Sequence, residues 1–477
     1  MGQNSWKMQA SKLFFFWGIA IALRLLSFFP SVINHDESTY IVISDALAKG
    51  QVYWVDVIDT KPIGVFLVFL LLQKIVGPSI FALRLVTTLI VGSTAYMLYR
   101  GKRNLGSSEG AARAAGVIFL FMCSIFTFYG VSPNTETFFV ACTAAAFWAL
   151  SGRLTFVRAV GAGLLLGVGF VIKYVVLFDA VALGMLLLAQ GARAGVMWGR
   201  ILGYGLGLAL PFGLVALYYG QMGQLDTFLF YTFELSSRYP ESAVWSDYLV
   251  ATLDFFLRFF PVTILLVASL VRFPLFPGKW LGIIWSVLVL IVVLLPGTFY
   301  GHYFIQLMLP VSMLAGEAFG PYRSRLPGWL RWFFRRVPGT VLIVVLVLLN
   351  WFFQKKDFLD RPDYPRRITA YIAPRLQKDA TVYLANTSHI AYHLLERKSP
   401  IRYVHPSLFW SDKHITALEI DVTAELARLR QADPAFIVLK DDERITKRTA
   451  FMAYLKKEFT KVKEIDNIKI YGKKQGK

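Results

Sequence analysis

Carboxylates, cations and a histidine stand at the ends of long apolar runs in this chain, where chemistry at a membrane surface would need them. Asn34-His35-Asp36-Glu37-Ser38-Thr39-Tyr40 follows the first such run, so Asp36 and Glu37 can keep their charge close to lipid. One of them can act as a general base, taking a proton from an attacking nucleophile; solvation of an interfacial loop also explains the pair. An amphipathic stretch then leads to Asp59-Thr60-Lys61-Pro62. Pro62 suits the first turn of a helix, which Thr60 or Asp59 can cap. The apolar run from Pro62 to Leu72 has 11 residues, about 16 Å as a helix. That is too short to span, so it is expected along the membrane surface as a juxtamembrane helix.

Four further places carry polar groups in apolar settings. Lys173 lies in Gly169-Phe170-Val171-Ile172-Lys173-Tyr174, where an unpaired cation is costly and ligand contact is the default reading. Pairing with Asp179, or snorkelling outward, is the alternative. Asn134 and Glu136 sit in a short turn between two spans, and Glu136 can meet a ligand or an ion, or be a helix N-terminal carboxylate favoured by the dipole. Arg238, in Glu234-Leu235-Ser236-Ser237-Arg238-Tyr239, can fork onto an anion or be a solvated loop cation. His302 and Tyr303 fall at the outside end of a span, either facing a cavity or belonging to an interfacial aromatic belt.

These residues need elements to hold them. The chain has 477 residues, 56% hydrophobic, 16% aromatic and only 17% charged, against about 25% charged in ordinary soluble proteins. Apolar runs about 20 residues long match the length needed to cross roughly 30 Å of hydrocarbon. A typical soluble protein is excluded, and a polytopic α-helical membrane protein is predicted. A formal charge of +20 would suit nucleic acid, but that is the weaker reading, because Lys and Arg cluster between apolar runs, where they set topology.

The first run, about Leu13 to Ile33, follows Lys7 and Lys12, contains Arg24 and has no A-x-A site after it. It is therefore read as a retained span with its N-terminus in the cytoplasm. Ten further spans are expected near 80–99, 113–131, 137–151, 160–173, 175–190, 201–220, 253–272, 280–297, 303–320 and 338–353, eleven in all. Their inside segments hold 17 Lys and Arg, from Lys7 through Arg100, Lys102, Arg103 and Arg193 to Arg335 and Arg336, with Glu109 as the only acid. Asp36, Glu37, Asp45, Asp56, Asp59, Glu136, Glu234, Glu241, Asp247 and Asp254 fall outside or at outside helix ends, as the positive-inside rule requires. Two short spans meet at Lys173; a single tilted helix there would invert everything downstream and break this pattern.

After Phe353 the composition changes to 25 Lys and Arg against 16 Asp and Glu. An odd number of spans places this tail outside. Thr381–Leu384, Phe436–Leu439 and Ile468–Tyr471 read as strands, alternating with helical Ala391–Glu396, Thr423–Gln431 and Arg448–Phe459, which predicts a small α/β soluble domain. The expected domains are 1–353 in the membrane and 354–477 outside. Cys123 and Cys142 fall within predicted spans, so the tail has no disulfide framework. Tyr392, Tyr403, Phe409 and Trp410 are expected in its core, with stacking on a ligand the lesser reading.

A DE pair after the first span, a Lys-Pro opening a surface helix and Phe81-Ala82-Leu83-Arg84-Leu85 opening the second span resemble the GT-C superfamily of membrane glycosyltransferases. Within it the chain is similar to the protein mannosyltransferase-like branch, which includes the bacterial RgtA/B/C/D-type enzymes and the lipid A aminoarabinose transferase. Ser132-Pro133-Asn134-Thr135-Glu136 and Gly301-His302-Tyr303-Phe304-Ile305-Gln306 look like further landmarks. The resemblance covers roughly residues 12 to 320 and implies a GT-C fold. Arg84 is read as a structural anchor at the interface.

The resemblance implies an inverting glycosyltransferase that moves a sugar from a polyprenyl-phosphate donor to an extracytoplasmic glycan, lipid or protein. Asp36 matches the family's catalytic carboxylate and Lys61 its Lys-Pro position, beside the leaving phosphate. Glu37, Asp59, Asn134, Glu136, Lys173, Arg238, His302 and Tyr303 are the expected substrate-binding residues. No cofactor is required in this reading and no metal ligand is assigned, although His35, Asp36, Glu37, Glu136 and His302 could together meet a divalent ion. The expected setting is a bacterial inner membrane, with the site and the tail facing the periplasm. A transporter or lipid flippase is the alternative class; such proteins usually show internal repeats and broken midplane helices, whereas this sequence puts its unusual polar residues at the outside face and devotes a long first loop to them. A non-catalytic scaffold would have a damaged DE pair or Lys-Pro, and both are intact.

Overall fold

The structure, a computed structural model, describes residues 2–474 apart from 126–129, 192–193 and 239–242. Arg193, Tyr239 and Glu241, which entered the expectations above, lie outside the described residues. In chain order the longer helices are α1 Gly2–Arg24, α2 His35–Ala48, α3 Gly64–Val76, α4 Ile80–Asn104, α5 Glu109–Met122, α6 Thr135–Ser151, α7 Phe156–Ile172, α8 Val176–Ala189, α9 Ala194–Gln221, α10 Trp245–Arg258, α11 Phe260–Val271, α12 Lys279–Leu294, α13 Ile305–Ala315, α14 Gly328–Arg336 and α15 Gly339–Gln354. The tail adds α16 Tyr364–Ile372, α17 Val422–Gln431 and α18 Thr449–Glu458. Two compact units result: Met1–Phe28 with Ser79–Tyr218 and Glu241–Leu359, and Phe29–Pro78 with Tyr219–Pro240 and Asp360–Lys477.

The first unit is helical throughout. Among the described residues three helices are long and apolar enough to cross a membrane, Trp6–Phe28, Ile80–Asn104 and Gly195–Gln221, and two bent pairs raise the number to five. Most other expected spans appear as apolar helices of 10–17 residues; eleven full spans are an expectation that this does not establish. The span expected over 253–272 is not one helix: α10 and α11 meet at Phe259 with a 95° bend. Pro261, near the start of α11, cannot donate a backbone hydrogen bond, which favours a new helix start there. The meeting point at Lys173 does separate two helices, because Lys173 is extended (φ −159°, ψ 126°) between α7 and α8.

Glycine sets how closely α7 and α9 approach. A methyl group at Gly167 would lie 2.5 Å from the Leu208 carbonyl oxygen, and one at Gly207 would lie 2.5 Å from that of Val160. Small residues at such crossings replace the hydrophobic drive that lipid cannot supply. Buried cations in this unit are held by carbonyls and carboxylates. Arg24, 1% exposed, donates to the carbonyls of Gly130 at 2.6 Å and Val131 at 2.9 Å. Arg84 is not the interface anchor expected from its place at a helix start. It is also 1% exposed and donates to the Ser27 carbonyl at 2.8 Å. Lys102 is buried, not a loop cation, and pairs with Glu317 at 2.7 Å.

The second unit joins the loop that follows the first apolar run to the tail. Its sheet runs β1-β2-β4-β3, with β1 Val382–Leu384 parallel to β2 Phe436–Lys440, and β4 Ile468–Lys473 antiparallel to both β2 and β3 Phe459–Ile465. β3 was not expected; the helical pattern ran to Phe459. Its mostly exposed Lys461, Lys463 and Glu464 mask the apolar alternation, and such charges suit the sheet edge it occupies. Asp466 and Asn467, at φ 50° and 65°, close the β3–β4 hairpin as a primed turn demands. Tyr392, Tyr403, Phe409 and Trp410 are buried, as core packing requires. The loop meets the tail through a parallel bridge between Ile58 and Tyr403, with the Ile58 N–H donating to the Arg402 carbonyl at 2.8 Å.

Candidate active site

Within the second unit, Asn34 begins α2: its side-chain oxygen accepts the Asp36 N–H at 3.0 Å. Asp36 and Glu37 therefore occupy the first turn, where the helix dipole favours negative charge. Glu37 is buried, whereas the Asp36 side chain remains 17% exposed. Asp36 accepts from Lys61 Nζ at 2.9 Å, and Asp59 Oδ1 lies 3.6 Å from the same ammonium. Burial opposes the Lys61 charge, but Asp36 and then Asp59 outweigh it and hold its pKa well above the ordinary lysine value.

Asp59 does not cap a helix. Its Oδ1 accepts the Lys61 N–H at 3.1 Å, and α3 begins only at Gly64, with Ile63 in the capping position and no side-chain cap. Pro62 thus precedes the helix it was expected to open. The loop is instead fixed by aromatic donors: Tyr53 OH to the Lys61 carbonyl at 2.5 Å and Trp54 Nε1 to the Asp59 carbonyl at 3.1 Å. This tight loop presents Lys61 to Asp36.

Histidines of the tail complete the surroundings, and sequence reasoning missed them. His405 Nε2 lies 3.9 Å from Asp36 Oδ1, while its Nδ1 accepts the Ser407 N–H at 3.3 Å. Burial pushes His405 down to about 4, with Asp59 only partly opposing, so the ring is neutral near pH 7. His35 stacks on His389 at 5.7 Å, and His389 Nε2 lies 2.9 Å from Thr39 Oγ1. Burial and the neighbouring histidines hold His389 well below its ordinary value. The one signal in the sequence was compositional: four of the chain's six histidines, His389, His393, His405 and His414, fall within the tail. Arg238 is half-buried and paired with Glu419 and, at 3.3 Å, with Glu234, so its guanidinium is engaged by carboxylates.

The first unit gathers a separate set. Glu136, in the first turn of α6, is buried and ion-paired with Lys173. The Lys173 ammonium also lies 3.8 Å from the Tyr303 ring centroid, a cation–π contact. Lys173 does not pair with Asp179, which accepts from Trp285 Nε1 and Gln306 Nε2, both at 2.6 Å. Asn134 is buried next to Glu136, and His302 meets Tyr303 edge-on at 4.7 Å. The expected site residues thus form two groups: Asp36, Glu37, Asp59, Lys61 and Arg238 in one unit; Asn134, Glu136, Lys173, His302 and Tyr303 in the other. Among the described residues no group of three or more His, Cys, Asp or Glu is arranged to hold a metal ion.

Residues 60–219 match the family model described as dolichyl-phosphate-mannose-protein mannosyltransferase. Among solved structures the chain is similar to ArnT from Cupriavidus metallidurans, with a TM-score of 0.67 and 14% identity over 99% of this chain and 98% of that one. It is also similar to the arabinofuranosyltransferase AftD from Mycobacteria, with a TM-score of 0.53 and 12% identity over 98% of this chain and 40% of that one. The oligosaccharyltransferase AglB from Archaeoglobus fulgidus gives a TM-score of 0.50 and 12% identity over 92% of this chain and 70% of that one. No curated protein sequence matches. Identities this low establish a shared fold; together with the family match across Lys61 and Pro62, they make this chain one that resembles the GT-C superfamily of membrane glycosyltransferases, in its protein mannosyltransferase-like branch.

Proposed function

We propose that the protein is an inverting glycosyltransferase that moves a sugar from a polyprenyl-phosphate donor to an extracytoplasmic glycan, lipid or protein. The observation that carries this reading is the Asp36 carboxylate held 2.9 Å from the Lys61 ammonium at the start of α2. Asp36 takes the proton from the acceptor as that atom attacks the anomeric carbon. The bond from that carbon to the phosphate oxygen breaks, its electron pair stays on the phosphate, and Lys61 stabilises the charge that develops there. Asp59 positions Lys61, and Glu37 orients Asp36 or the acceptor. Asn134, Glu136, Lys173, Arg238, His302 and Tyr303 are proposed to contact donor or acceptor. The membrane part, 1–353, carries the catalysis in this scheme, and 354–477 lies outside, facing the periplasm of a bacterial inner membrane.

A lipid-linked donor agrees with the description of the matching family, which names dolichyl-phosphate-mannose. A pentose is as plausible chemically as a hexose, since the neighbour AftD is described as an arabinofuranosyltransferase. The test is donor consumption by the purified protein in lipid vesicles, offered polyprenyl-phosphate hexoses and pentoses with an envelope extract. Release of polyprenyl phosphate from one donor class is expected. Consumption of none by folded protein would argue against the reading.

A further inference from the structure

We propose that α14 is an interfacial helix that binds the headgroups of anionic glycerophospholipids, on the membrane side that the charge pattern assigns to the cytoplasm. The inference is independent of the transfer reaction. It begins with the break at Val337 and Pro338, where Gly328–Arg336 and the helical stretch from Gly339 meet at 89°. α15 has no ionisable residue between Gly339 and Gln354 and exposes apolar side chains along its length, with Val341 48%, Val344 56%, Leu348 56% and Phe352 66% exposed. A helix whose surface is apolar from end to end is stable against lipid tails. If α15 crosses the bilayer, a helix at right angles to it lies in the plane of the interface.

The composition of α14 fits that plane. Trp329 and Trp332 are 59% and 61% exposed, while Leu330 between them is buried and anchors the helix to its unit. At 100° per residue the two Trp share one face with Arg336 between them, and Arg331 and Arg335 lie together about 110° round the helix. Trp rings settle at headgroup level, and guanidinium forks match phosphate oxygens. Arg331, Arg335 and Arg336 are exposed, as are Arg323 and Arg325 just before the helix. No Asp or Glu occurs from residue 318 to 356. Among the described residues none of these five arginines pairs with a carboxylate; Arg331 donates to the Ser324 carbonyl at 3.0 Å and Arg323 to that of Phe334. Five cations lacking carboxylate partners on an aromatic surface select a net-negative lipid over a zwitterionic one.

The test is lipid retention by the full-length protein, purified in detergent and offered equal amounts of phosphatidylglycerol and phosphatidylcholine, with bound lipid read by native mass spectrometry. The wild type should favour phosphatidylglycerol, and Arg331→Gln/Arg335→Gln/Arg336→Gln should reduce that preference at least ~10-fold, since each charge near a membrane surface contributes to attraction. The corresponding triple Lys variant should keep most of it. Should the Gln variant fold poorly, the wild type still decides the matter, because raising the salt must weaken phosphatidylglycerol retention if exposed charges carry it. Equal retention of the two lipids by the wild type, or an undiminished preference in the folded Gln variant, would overturn the proposal.

Discussion

Asp36 and Lys61 illustrate what residue types in context convey. A carboxylate pair after an apolar run and a Lys-Pro some 25 residues later marked a candidate base and a candidate cation, and the structure places Asp36 and Lys61 2.9 Å apart. Lys61 is held charged by two carboxylates in a half-buried loop, so its replacement should act on the departing phosphate. In the proposed scheme Lys61→Ala lowers kcat/KM for the lipid donor by ~10²–10³-fold, the range for removing one preorganised donor at developing negative charge. Steady-state kinetics with the lipid donor check this, and unchanged kinetics would remove Lys61 from the site. His405, by contrast, was not legible. It lies 369 positions from Asp36 in sequence and reaches it only because the loop and the tail fold as one unit. No local pattern encodes such a contact.

Elements were legible where hydrophobic pattern alone decides them, as in α4, α6, α8 and three of the four strands. The misses have physical causes. The 253–272 run is apolar throughout, so periodicity could not reveal the turn at Phe259 that Pro261 favours. The charged face of β3 hid a strand. Lys102 looked like one more topology cation because its partner, Glu317, is 215 residues away. Lys102 and Glu317 are 1% and 2% exposed, with Lys102 Nζ donating to the Met313 carbonyl at 2.5 Å and Ser107 Oγ to Glu317 at 2.8 Å. Glu317→Gln leaves a buried cation without its counter-charge, and a loss of about 3–5 kcal/mol is expected. Lys102→Met/Glu317→Leu, which removes both charges, should recover most of it. Thermal unfolding in detergent distinguishes the two; a double variant no better than the single one would contradict a pairing role.

On the scale of the molecule, the loop that carries Asp36 and Lys61 belongs to the same compact unit as the tail, an association that residues hundreds of positions apart create and composition does not announce. His393 is one fastening. Its Nδ1 lies 2.7 Å from Asp45 Oδ2 of α2 and its Nε2 lies 2.8 Å from the Pro78 carbonyl, so both ring nitrogens face acceptors and the doubly protonated ring fits best. Burial opposes that charge, but the hydrogen bond to Asp45, the charge of that carboxylate and the Pro78 carbonyl together outweigh it and raise the pKa above 6.5. The stabilisation is therefore complete below about pH 6.5 and declines as pH rises through the higher folded value. Wild-type thermal stability should fall over that interval more steeply than that of His393→Gln; parallel pH profiles would contradict the assignment. The central claim, glycosyl transfer with Asp36 as the base, is tested most directly by the rate at which purified wild type and Asp36→Asn consume a polyprenyl-phosphate sugar under identical conditions. The account predicts a loss of ~10²–10⁴-fold in the variant, the range for general-base catalysis. Transfer by Asp36→Asn at the wild-type rate would contradict it.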